Sequence, residues 1–467
     1  MSTDPRPSDV PLLDEGLWGV LWGVGILLHF TWPGAHIYVQ TLTGYVAVTG
    51  AAMILVRPRS PGLWALVAVA SLAEAAYTAI TVDRLSMSWA VVGVFHLVLL
   101  HGLWRERGVP AHERCGVVLR GAIPAMRWLV IGIYFYATLH KLNTSYFAES
   151  NHRSLQFLGR IHPLIRPEEF LTRSQASTLG VLTEGAIFVL LLFPWTRLVA
   201  VVLGIGLHFT LGFAGFQQFA IMFPMLLLFL RSVPHPSAPV ARVVARLPGW
   251  TRPASLLLVP AIVAFLTWGE TIARNPTVRD SWWLVLGAFM AVEVLRRVRA
   301  HGLADVGRVP LFDVRLRDTV APVAFAVWCF VPYFGITSHP CMTMYSRLSV
   351  HSGVSNHLFV PAGLQIDAIQ GDFVEITEST SKDFPVGARI PRLALRKAIA
   401  TATGRGEAPK RVTWLEDGEE FTAVRGVLPD PSILDDLPMI SFSGPVALGT
   451  AKRKARQGRL RGGRNSD

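Results

Sequence analysis

Apolar residues gather in long runs over the first 335 positions, and runs of this length leave a chain few ways to fold. The stretches 16–30, 37–56, 62–80, 89–104, 128–139, 176–193, 198–213, 217–230, 254–269, 281–295 and 319–335 read as candidate membrane spans. A helix needs about 20 predominantly apolar residues to cross the hydrocarbon core of a bilayer. There, each backbone N–H and C=O must be paired within the protein, and a helix does this inside a single segment. The expected fold is an all-α polytopic membrane bundle of about 8–11 transmembrane helices over residues 1–337.

Composition agrees: 51% of the 467 residues are hydrophobic and only 16% charged, with mean hydropathy +0.41. The net charge of +12 resembles a nucleic-acid signal, but arginines between the apolar runs account for it, and no nucleic-acid motif accompanies them. With the N-terminus inside, the inner loops carry more than twice as many Lys and Arg as the outer loops. The expected location is a bacterial inner (cytoplasmic) membrane, with the lipid bilayer as partner and the C-terminal domain outside. The acidic start, Asp4 to Glu15, lacks the basic segment of a cleaved signal, so the first span is expected to act as its own insertion signal. Cys115, Cys329 and Cys341 are odd in number and widely spaced, which fits free thiols rather than a zinc or disulfide framework.

Composition shifts at Ser338. From 338 to 450 the chain reads as a small α+β extracytoplasmic domain, followed by a basic disordered tail over 451–467. Polar–apolar alternation from Asp372 to Thr377 predicts a strand, and Leu393 to Ala402 predicts a short helix. Val412 to Val424 predicts a hairpin with Asp417-Gly418 as a type I′ turn.

The chemistry-bearing stretch is Tyr134 to Phe147, YFYATLHKLNTSYF. Tyr134, Thr138 and Lys141 recur at helical spacing, so a phenol, a hydroxyl and an amine share one face. Hydrocarbon cannot hydrate an ammonium, so dehydration favours the neutral amine, which is a usable general base. The alternative is a lysine that snorkels from the helix end to water. The following loop, about 140–175, contains His152 and His162 without an HxxxH or HxxE pair, so no metal is expected. Glu184 and His208 lie well inside apolar runs, as functional candidates or as hydrogen-bonded structural groups. His351, Asn356 and His357 cluster beside Tyr345 beyond the last span. They read as a lid or proton relay, or as a turn whose side chains satisfy loop backbone.

YFYATLHKLNTSYF resembles the lysine-containing helix end of the HTTM (horizontally transferred transmembrane) family, which includes the vitamin K-dependent gamma-carboxylase. His208 to Phe229, HFTLGFAGFQQFAIMFPMLLLF, is similar to the family's histidine-led helix and Phe-x-Ile-x-x-Phe-Pro segment. Tyr345 to His357, YSRLSVHSGVSNH, resembles the family's segment after the last span. The three anchors fall in family order between about 128 and 360.

The resemblance implies a quinol chemistry. Lys141 would deprotonate vitamin K hydroquinone or menaquinol, and oxygenation would lead to the epoxide. A strongly basic oxygenated intermediate would then take the γ-proton of a glutamate in a secreted protein substrate, whose carbanion adds carbon dioxide. O2 and CO2 are the co-substrates. His208, His351 and His357 are the implied further catalytic residues. Tyr134, Thr138, His140, Tyr345 and Asn356 are the implied quinol-binding residues. A second class of reading is a non-catalytic HTTM module for maturation, export or immunity of a partner protein. Two departures stand out. Ser88-Trp89 occupies the place of the carboxylase's Asn-His pair, with His96 and His101 further along, and the region after the last span is far shorter than the carboxylase's luminal region.

Overall fold

Ten of the eleven apolar runs meet residues that the computed structural model describes, and within those residues all ten are largely helical. Those residues are 15–30, 41–81, 87–148, 170–233, 276–311 and 316–334, positions 154, 155 and 158, and most of 346–429. In chain order the helices are α1 (Glu15–Phe30), α2 (Leu42–Val56), α3 (Pro61–Thr81), α4 (Met87–Arg105), α5 (Ala111–Lys141), α6 (Thr144–Phe147), α7 (Arg173–Leu192) and α8 (Arg197–Phe213). A 3-10 turn at Gln217–Ile221 leads into α9 (Met222–Leu227), and α10 (Pro276–His301) and α11 (Val320–Phe330) follow. The run 217–230 is therefore not one continuous span-length α-helix. The run 254–269 lies outside the described residues.

Among the described residues, three helical segments are long and apolar enough to cross a membrane: Ser88–Arg105, Ala111–Lys141 and Arg173–Leu192. Shorter apolar helices include α1, α2 and α8. The chain is thus mostly helical, with helices compatible with a bilayer. Helix starts follow local chemistry. Thr172 and Gln175 form a reciprocal capping box at α7, with bonds of 3.1 and 2.8 Å. Thr41 caps α2 by accepting from the Gly44 N–H at 2.9 Å.

The described residues fall into two compact units. The first takes in those of Met1–Thr78, Leu85–Cys329 and Met342–Arg347, and the second takes in the remainder. Within the first, α8 and α10 meet where glycine removes bulk. A Cβ on Gly212 would lie 1.9 Å from the Trp283 ring, whose indole N–H donates to Phe209 O at 2.6 Å.

Three arginines read from sequence as loop charges are instead buried, each 1% exposed. Arg127 donates to Leu228 O (2.8 Å) and Pro310 O (2.6 Å). Arg197 donates to Leu191 O (2.8 Å), Gly307 O (3.2 Å) and Val309 O. Arg297 pairs with Glu293 at 2.7 Å and donates to Leu227 O at 2.8 Å. A helix leaves its last carbonyls without intrahelical donors, and a planar guanidinium serves several of them at once. Cys115 and Cys329 are buried and not joined in a disulfide, and Cys341 lies outside the described residues.

The second unit holds a two-stranded ribbon and a four-stranded sheet. β1 (Val350–His351) pairs antiparallel with β2 (Val354–Ser355). β3 (Phe373–Ser379), β4 (Arg389–Pro391), β5 (Arg411–Glu416) and β6 (Glu419–Val424) form an antiparallel sheet in the order β4-β3-β5-β6. The expected strand, helix and hairpin are β3, α12 (Arg392–Gly404) and β5–β6. Gly418 has φ +86°, and Asp417 lies outside the described residues. Val374, Ile376, Val412, Trp414 and Ala423 pack against Leu395 and Ile399 of α12 as the core.

Candidate functional site

The sequence motif sits at a helix end with its own clamp. α5 stops at Lys141, and Asn143 begins α6 by accepting from the Tyr146 N–H at 2.9 Å. The Asn143 amide also donates to His140 O (2.8 Å) and Ser346 O (2.7 Å). One buried side chain thereby fixes where α5 ends, where α6 starts and how a distant segment meets both. The asparagine of the motif is architectural.

Beside this corner lies a cavity of about 430 Å³, walled largely by apolar side chains of α5, α7, α8 and the turn after α8. That volume is within the range of small-molecule pockets, about 300–1,000 Å³. Its polar lining includes Lys141, Glu184, Tyr134, His208, Tyr146 and Thr183. Lys141 Nζ donates to the Glu184 carboxylate, and both side chains are nearly buried, 13% and 14% exposed. Taking two charges out of water is costly, and their close pairing offsets that cost. Tyr134 Oη and His208 Nε2 lie 2.8 Å apart. Gly204 makes room for this contact, since a Cβ there would stand 3.2 Å from Tyr134 Oη.

The structure brings Tyr134, Lys141 and His208 to one cavity. It turns Thr138 and His140 elsewhere. Thr138 returns its hydroxyl to Tyr134 O at 2.8 Å, and its methyl group faces Gly185 of α7. His140 is fully buried, with Nε2 3.1 Å from Cys329 O. The shared face read from spacing therefore supplies a phenol and an amine to the cavity, while the hydroxyl stays with its own helix.

His351 is described only by its place in β1, and Asn356 follows β2 in the second unit. His357 is buried there, its Nδ1 accepting from the N–H groups of Phe359 (3.1 Å) and Val360 (3.0 Å) while its ring packs edge-on to Tyr333. Accepting two donors requires Nδ1 to carry no proton, and the ring acts as a turn cap. Tyr345, His152 and His162 lie outside the described residues. His96 receives the Trp22 indole N–H at 3.2 Å and does not line the cavity.

The Lys141–Glu184 pairing is the feature that sequence reading left undrawn. Both residues were visible as ionisable groups in apolar runs. A lone acid and a lone base in such surroundings are each expected to seek a partner.

No family model, curated protein or solved structure matches the chain.

Proposed function

We propose that the chain is a polytopic membrane enzyme that oxidises a lipid-soluble quinol in this cavity, in the manner of a vitamin K-dependent carboxylase. The observation that carries the reading is a nearly buried amine–carboxylate pair set into the wall of a largely apolar pocket. Ionisable side chains held among membrane-type helices are costly, and they commonly mark a site of proton or ligand handling. An apolar ring with phenolic hydroxyls suits such a wall, which keeps water from the reacting atoms.

In this reading Lys141 Nζ takes a phenolic proton and Glu184 holds the resulting ammonium in place. Tyr134 and His208 orient the oxygen at the other side of the ring. A reduced quinone such as menaquinol or vitamin K hydroquinone would react with one O2. One oxygen atom enters the ring as the epoxide and the other leaves as water with the two phenolic protons, so that the quinol gives up four electrons in all. Coupling to CO2 and a glutamate of a secreted protein would be the full carboxylase cycle. In this reading the protein sits in a bacterial cytoplasmic membrane, with the N-terminus on the inner side and the C-terminal domain on the outer side.

The test is purified protein in nanodiscs supplied with menaquinol and O2, with epoxide read by mass spectrometry. Wild type forms epoxide, and Lys141→Ala lowers the rate by about 10²–10⁴-fold, the usual worth of a general base. Failure of wild type to consume any quinol would sink the enzyme reading.

One observation favours the second reading, a non-catalytic module for maturation, export or immunity of a partner protein. Lys141 already has a carboxylate partner, so a purely structural ion pair accounts for its burial. That reading expects no quinol consumption, with the partner's processing still dependent on the protein.

A further inference from the structure

The cavity beside Lys141 changes character between its buried end and its mouth. Lys141, Glu184, Tyr134, Tyr146 and His208 make the buried end polar, none of them more than 14% exposed. Four lining residues are exposed instead: Leu179 of α7, and Val202, Leu203 and Gly206 of α8. A residue that lines a cavity and is also exposed marks the place where the cavity opens. The mouth therefore lies between α7 and α8, and its rim carries no polar side chain. Gly206 keeps it clear, since a Cβ there would meet no atom within 4 Å.

Two lining threonines stand four residues beyond Leu179 and Gly206, and their hydroxyls are already satisfied. Thr183 donates to Leu179 O at 2.8 Å, and Thr210 donates to Leu207 O at 2.7 Å. Among the three spanning-length helices α7 is the least covered, with 28% of its apolar window buried against 61% and 67%. Exposed apolar side chains continue beyond the rim at Leu182 and Val199. On the membrane reading above, this mouth faces hydrocarbon and not water.

We propose that the cavity admits its ligand sideways from the bilayer, through the opening at Gly206, and that the ligand is an amphiphile with one long apolar tail. The head lies against Lys141 and Glu184, and the tail leaves between α7 and α8 into lipid. A tail that stays among lipid chains needs no groove of its own, because hydrocarbon is as apolar as leucine. A cavity of about 430 Å³ houses a head group, not a polyisoprenyl chain as well. The inference rests on the quinol reading for the head. It adds the tail, the route of entry, and Gly206 as the residue that sets the width of that route.

The test uses the full-length protein in nanodiscs and reads binding, not turnover. Menaquinone-4 with a diazirine on the first isoprene unit of its tail is irradiated in place, and labelled peptides are mapped by mass spectrometry. Label is expected on 179–183 and 202–206, and excess unlabelled menaquinone-4 displaces it. Label elsewhere, no label, or label that is not displaced overturns the proposal, the last marking a crevice filled by bilayer lipid. Gly206→Trp narrows the mouth. Its preference for menaquinone-4 over tail-less menadione, read as the ratio of dissociation constants, should fall by about tenfold or more. An unchanged ratio overturns the route. The labelling needs no variant, so it decides the matter should Gly206→Trp fail to fold. The two readings fail separately. Displaceable label without epoxide formation sinks the enzyme reading alone, and epoxide formation with label elsewhere sinks this route alone.

Discussion

Tyr134 Oη and His208 Nε2 meet at 2.8 Å between α5 and α8, both rings almost fully buried and both on the cavity wall. The other ring nitrogen of His208, Nδ1, has no partner, so this contact is the imidazole's one protein hydrogen bond among the described residues. Tyr134→Phe removes it without creating a large void. The expected cost is about 1–3 kcal/mol of stability, because a buried ring nitrogen is left unsatisfied. Chemical denaturation of the detergent-solubilised protein checks this. Turnover separates two roles: a contact that orients ligand raises KM for menaquinol, whereas a packing contact leaves KM unchanged.

The ion pair across α5 and α7 calls for a double-mutant cycle. Lys141→Met or Glu184→Leu alone strands a nearly buried charge, and each is expected to destabilise by about 3–5 kcal/mol. The double variant replaces both charges with apolar groups of similar reach and should recover most of that loss. Stability and quinol oxidation then part company. The double variant is stable and forms no epoxide if Lys141 is the base. Recovery of epoxide formation together with stability would assign the pair a structural role alone.

Much of the helical architecture was legible because hydropathy acts over whole segments, and ten of the eleven runs meet helices. What hydropathy cannot convey is partner choice. Spacing put Thr138 beside Lys141 on one face, yet a helical threonine has a carbonyl one turn back within reach and takes it. His140 is adjacent to Lys141 in sequence but roughly 100° around the helix, so it meets α11 instead. The hairpin β5–β6 was readable from Asp417-Gly418, since glycine tolerates the positive φ that the turn uses. The role of His357 lay between two alternatives that sequence could not separate, and its two backbone donors give it a turn-capping function.

That capping function has its own measurable consequence. His357→Ala removes the acceptor for the Phe359 and Val360 amides, 3.1 and 3.0 Å away. Hydrogen exchange at those two amides should accelerate by about tenfold or more, corresponding to loss of roughly 1–1.5 kcal/mol of local protection. His357→Asn, which keeps an acceptor near the same place, should restore part of the protection. Mass-spectrometric exchange on a peptide spanning 355–364 reads the change directly.

Close helix approach at Gly212 is equally specific. Its absent side chain leaves space for the Trp283 indole, and a Cβ would fall 1.9 Å from that ring, well inside contact distance. Gly212→Ala is expected to destabilise by about 1–3 kcal/mol through overpacking, or to force α8 and α10 apart. Combining it with Trp283→Leu relieves the clash, so the pair should cost less than the sum of the singles. Thermal unfolding followed by tryptophan-independent far-UV dichroism avoids the loss of the Trp283 signal.

Arg297 separates two functions that sequence reading merged, orientation in the membrane and cohesion of the fold. Its guanidinium reaches Glu293 at 2.7 Å and the carbonyls of Leu227 and Leu230 at 2.8 and 3.3 Å, while it is 1% exposed. Arg297→Lys keeps the positive charge that biases orientation, and so the side of the membrane on which each loop lies should not change. An ammonium lacks the planar fork, however, and cannot serve the carboxylate and two divergent carbonyls together. The expected loss is about 1–3 kcal/mol, from carbonyls left without donors in a buried position. Cysteine-accessibility labelling of the loops in intact cells checks orientation, and denaturant unfolding of the purified variant checks stability. An inverted labelling pattern would make the charge, and not the hydrogen bonds, the residue's principal contribution.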